Sequence, residues 1–69
     1  MSIQKEAAEL SAVIGRMLFN TEMTLTIAPE FEGREADVKQ AVEAELARFG
    51  NRALVELNGP LSLRASTFS

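Results

Sequence analysis

The side chains of this chain that are most able to do chemistry are its carboxylates, because His, Cys, Tyr and Trp are all absent from its 69 residues. Without His, Cys or Tyr, acid–base work near neutral pH falls to a tuned carboxylate or a lysine, and a Ser or Thr nucleophile has no imidazole to activate it. Lys5 and Lys39 are the only lysines, and helical periodicity puts each on the polar side of its element, where neither is desolvated. A glycosidase-like carboxylate pair needs a substrate cleft, which a two-layer fold of this size does not form within one chain. These residue types point to binding and not to catalysis, with no catalytic residue and no cofactor expected.

The carboxylates are unevenly placed. Ten acidic against seven basic side chains give a net charge of −3. Residues 22–45 alone hold Glu22, Glu30, Glu32, Glu35, Asp37, Glu43 and Glu45 against Arg34 and Lys39, a balance of −5, whereas residues 46–69 come to +2. The acidic run around Gly33 invites comparison with a calcium loop. Setting Gly33 at the loop glycine of an EF-hand puts Ala28 at the first ligand position and Lys39 where a bidentate Glu belongs, so no metal is expected. Carboxylates at a helix start also complement the positive end of the helix dipole, by about 0.3–1 kcal/mol each. What remains for them is a partner surface, comprising Glu30, Glu32, Glu35, Asp37, Gln40, Glu43 and Ala44. Glu35, Lys39 and Glu43 share one helix row, spaced about 6 Å apart, but Lys39 interrupts any phosphate-like series there.

The elements that position these residues follow from hydrophobic period. Ile3, Ala7, Leu10, Ile14, Met17 and Leu18 share one side of a helical wheel, with Lys5, Glu9, Ala12 and Arg16 opposite. Ser2 is the expected N-cap and Asn20 the expected stop. From Glu22 to Ala28 the pattern alternates, with Met23, Leu25 and Ile27 facing inward, which predicts a strand. Pro29 to Gly33 reads as a loop. A second helix over about Arg34 to Phe49 buries Val38, Val42, Leu46 and Phe49 and stops at Gly50, leaving a smooth outer strip of Ala36, Gln40, Ala44 and Ala47. A strand over Arg52 to Leu57 turns Ala53, Val55 and Leu57 inward and Leu54 outward, and Leu61, Leu63 and Ala65 mark a third. Asn58-Gly59 is a hairpin signal, but Pro60 lacks the N–H that closes a two-residue turn, so a longer connection is expected. Ser66 to Ser69 reads as a tail, held only if Phe68 docks on the core.

The expected fold is a single α+β domain over residues 1–69, a two-layer sandwich of order α-β-α-β-β with two helices on one face of a three-stranded sheet. Two strand orders fit. Either the first two strands are parallel neighbours joined through the second helix, or the last strand lies beside the first. The run from Met23 to Leu46 does not match a ribbon-helix-helix repressor, because one helix is followed by more strand and the outward residues are Glu22, Thr24 and Thr26.

Acidity disfavours direct nucleic-acid binding, and no apolar run is long enough for a membrane span. Lack of Cys and an N-terminus interrupted by Lys5, Glu6 and Glu9 suggest a cytoplasmic chain. In size, acidity and lack of cofactor-binding residues it is similar in type, though not in motif, to small phage-encoded inhibitors such as anti-CRISPR proteins. That likeness implies an inhibitor or nucleic-acid mimic that docks its acidic middle third on a basic surface of a protein partner. The alternative is an assembly module, monomer or homodimer, that pairs through an open strand edge or sheet face, suggested by outward Leu54 and by the small size.

Overall fold

The structure, a computed structural model, describes residues 2–50 and 52–68. Its elements are α1 (Ile3–Gly15), β1 (Glu22–Thr26), a 3-10 turn (Pro29–Phe31), α2 (Glu35–Arg48), β2 (Ala53–Leu57) and β3 (Ser62–Thr67). Both helices cover one face of the sheet. The core joins Ala7, Leu10 and Ile14 of α1 and Val38, Val42 and Leu46 of α2 to Leu25, Val55, Leu63 and Ala65 of the strands, with Ile27 and Phe31 completing it. Burying each Val, Leu, Ile or Phe contributes about 1.5–3 kcal/mol. The opposite face carries Thr24, Thr26, Glu56 and Arg64 in the open, with Glu56 and Arg64 paired at 3.6 Å.

The strand order is β1-β3-β2, with β3 antiparallel to both neighbours. This is the arrangement with the last strand beside the first. β1 and β2 run parallel without touching, and α2 connects them across the intervening β3. The pairing places Glu22, Ser66 and Leu54 in one row and Thr24, Arg64 and Glu56 in the next.

Local chemistry sets the ends of the helices. Ser2 caps α1, its Oγ accepting from the Lys5 N–H at 3.1 Å. The helix stops at Gly15 and not at Leu18. Gly is a poor helix former, and the Arg16 and Met17 amides turn back to Val13 and Ile14 in a tightened last turn. Met17 still packs on the core, but Leu18 is 77% exposed. Asn20 does adopt a left-handed conformation (φ 60), in the connection to β1 and not at the helix end. That connection is tied down by threonines, since the Leu18 carbonyl accepts from the hydroxyls of both Thr21 and Thr67. Ser66 and Thr67 are therefore strand and not tail, while Phe68 is half-exposed and Ser69 lies outside the described residues.

Further departures concern Phe31, Phe49 and Leu57. The segment expected as a loop folds Pro29–Phe31 into a helical turn that drives Phe31 into the core, at 2% exposure. Phe49, expected in the core, is 66% exposed, because α2 ends at Arg48 and the chain turns away through Gly50 (φ 72). Leu57 has the inward parity of its strand but is half-exposed at the sheet end. β1 stops at Thr26, two residues early, although Ile27 stays paired through its N–H to the Leu61 carbonyl at 2.9 Å. The β2–β3 connection is the longer one that Pro60 requires. Asn58 donates to the Ser62 carbonyl at 2.9 Å, and Gly59 and Leu61 both take positive φ.

Candidate functional site

The acidic middle third is built around the buried Phe31. Its burial fixes the turn, and the residues on either side, Glu30 and Glu32, are thereby held in solvent. The Arg34 amide bonds back to the Phe31 carbonyl at 2.8 Å, and Gly33 at φ 84 makes the reversal that a side chain would strain. α2 then begins with no side-chain cap on its first turn, so Glu35 and Asp37 are the groups that answer its exposed amides and dipole.

The seven expected surface residues separate into different roles. Glu35 is partly buried and turned toward the β2–β3 connection, where its Oε2 accepts from the Leu61 N–H at 3.1 Å. Hydrogen bonds from its own main-chain N–H and from that of Leu61, against a small desolvation effect and helped by Gly33, hold its carboxyl below the ordinary carboxylate value. Glu35 therefore braces the fold. Asp37 lies 3.9 Å from Arg34, both side chains well exposed, a contact worth little in water. Glu43 pairs with Lys39 at 3.2 Å, so the residue that interrupts the acidic row also neutralises one end of it. Gln40 and Ala44 are exposed, opposite the buried stripe of Val38, Val42 and Leu46, with Ala36 and Ala47 beside them. Glu30, Glu32 and Asp37 thus remain as the open carboxylates at the start of α2.

A second carboxylate has a structural role that periodicity does not reveal. Glu6 of α1 accepts from the Ala28 N–H at 2.9 Å, beyond the end of β1. Only its position on the border of the apolar stripe hints at such a contact. Among the described residues, no group of three or more acidic side chains comes together in a way that could hold a metal ion. An open concavity of about 470 Å³ runs between the helices along Ala8, Ser11, Ala12 and Gly15 to Arg16, Glu45 and Phe49. It brings together one cation and one carboxylate, and Glu45 is already paired with Arg48 at 3.5 Å. No described helix is long and apolar enough to cross a membrane.

Comparison with models of protein families, with curated proteins and with solved structures gave no match.

Proposed function

We propose that the chain is a non-enzymatic binding module that presents Glu30, Glu32 and Asp37, with the adjoining Gln40, Glu43 and Ala44 face of α2, to a basic surface of a protein partner. A groove that otherwise holds nucleic acid is the surface this charge pattern suits best, which makes the chain an inhibitor by occupation. The observation that supports this reading is the exposure of Glu30, Glu32 and Asp37 beside the buried Phe31: among the described residues, no side-chain hydrogen bond or ion pair uses the carboxylate of Glu30 or Glu32. Flanking Gln40 and Ala44 are short or neutral and let a partner approach closely. Glu35 belongs to the scaffold beneath this surface.

The test is a triple variant, Glu30→Gln, Glu32→Gln and Asp37→Asn, with Glu35 kept so that the brace to Leu61 survives. Capture of basic proteins from the native host is compared for the two forms at low and at raised salt. The reading expects a partner held by the unaltered chain, released as salt shortens the screening length to about 8 Å and below, and lost by a folded triple variant. Equal retention by both forms overturns it.

A further inference from the structure

The two edges of the sheet differ in a way that the acidic surface does not explain. Thr67 donates to the Thr21 carbonyl and Ile27 to the Leu61 carbonyl, so the odd-numbered residues of β1 bond to β3 and Glu22, Thr24 and Thr26 turn their main-chain groups outward. The next outward amide, that of Ala28, is taken by Glu6, and Pro29 follows with no N–H at all. A charged residue, a carboxylate cap and a proline are devices by which an edge strand avoids further pairing.

β2 also carries a charged residue, Glu56, but that carboxylate is paired with Arg64 within the sheet, and among the described residues the edge has neither a side-chain cap on an outward amide nor a proline. Asn58 donates to the Ser62 carbonyl, which makes Glu56 with Arg64 and Leu54 with Ser66 the pairs that exchange hydrogen bonds across β2–β3. Ala53, Val55 and Leu57 consequently turn N–H and C=O toward the open side, and no partner within the described residues accepts from or donates to them there. The strand reads Ala-Leu-Val-Glu-Leu, with no proline, lysine or bulge, and it leaves Leu54 52% and Leu57 49% exposed.

We infer that β2 pairs antiparallel with β2 of a second copy of this chain about a two-fold axis at Val55. That register is self-complementary. Val55 lies opposite Val55 of the other copy and Ala53 opposite Leu57, so each outward amide and carbonyl meets its complement. On the solvent face, Leu54 lies opposite Glu56 of the other copy and diagonal to its Leu54. Arg52, which is exposed, comes diagonal to that Glu56, within reach of a long side chain and opposite in charge. The three-stranded sheet doubles, its one unguarded edge disappears, and the guarded β1 edges become the outer borders.

The experiment is equilibrium sedimentation of the full chain over a concentration series, with amide hydrogen exchange read residue by residue on the same samples. A dimer is expected, with protection at Ala53, Val55 and Leu57 that grows with concentration, while Glu22, Thr24 and Thr26 keep exchanging freely. Leu54→Glu, at an exposed position, places carboxylates against Glu56 of the other copy and is expected to weaken the dimer by about tenfold or more, equivalent to about 1.4 kcal/mol. The triple variant of the acidic surface is expected to dimerise unchanged, so that failure of the one reading does not carry the other with it. A chain that stays monomeric to roughly 1 mM, the weak end of specific association, overturns the inference. So does a dimer whose β2 amides show no added protection.

Discussion

Glu35 stands in the first turn of α2, where a carboxylate near unpaired amides is favoured by the helix dipole. That much is local and legible in the sequence. Its second partner, the Leu61 N–H, is 26 residues away and has no sequence signal, because Leu61 is held at φ 52, a left-handed conformation that a leucine rarely adopts. The Glu35 carboxylate on one side, the Ile27 amide on the Leu61 carbonyl and the packed side chain hold it there together. Because the folded state lowers the pKa of Glu35, its contribution to stability is full above the ordinary carboxylate value and is lost as pH falls through the folded value. Glu35→Gln is therefore expected to lower the urea midpoint at neutral pH with an unchanged slope, and to flatten the acid limb of stability against pH. Urea titrations of both proteins across the acid range check this, and an acid limb equally steep in the variant would rule it out.

At the scale of elements, hydrophobic period gives the type and order of both helices and all three strands, and it places Val38, Val42, Leu46, Val55, Leu63 and Ala65 in the core. It fails where an element ends. Leu18 and Phe49 continue their apolar stripes in sequence, yet each lies past the last helical residue and points to solvent. Phe31 shows the converse, since a proline-led segment of five residues has no period to read, and only the turn that forms from Pro29 aims its ring inward. Strand order is likewise beyond local pattern, because both arrangements satisfy the same alternation and the choice rests on which strand fills the space between β1 and β2. A pair of substitutions separates sequence from structure on this point. Phe31→Ala is expected to cost about 3–5 kcal/mol, as for other buried aromatics. Phe49→Ala, which loses a contact 5.4 Å from the Arg48 guanidinium and little else, is expected to stay within about 0.5 kcal/mol. Chemical denaturation of both variants measures the contrast, and similar losses would contradict the exposed placement of Phe49.

At the scale of the whole molecule, a chain of 69 residues buries only about 60–65% of the surface its unfolded form exposes, so each added contact weighs heavily on stability. Composition makes the charge imbalance legible, and helix spacing the Lys39–Glu43 pair, but not the bracing of Glu35, because its partner Leu61 is brought to it by tertiary contact. The two surfaces proposed above differ in physical kind, one ionic and one built on main-chain hydrogen bonds with Val55 at its centre. Pairing that exists only in the folded state stabilises that state by mass action. The melting temperature is accordingly expected to rise with protein concentration, and to rise nearly as much in high salt, since backbone pairing is screened far less than exposed carboxylates. Leu54→Glu is expected to move that rise to about tenfold higher concentration while leaving the melting temperature at low concentration close to that of the unaltered chain, as its side chain lies on the solvent face. Thermal scans by circular dichroism over a hundredfold range of concentration, at low and high salt, would measure this, and a melting temperature that is flat for both proteins would mean that the single chain holds its fold without the second copy.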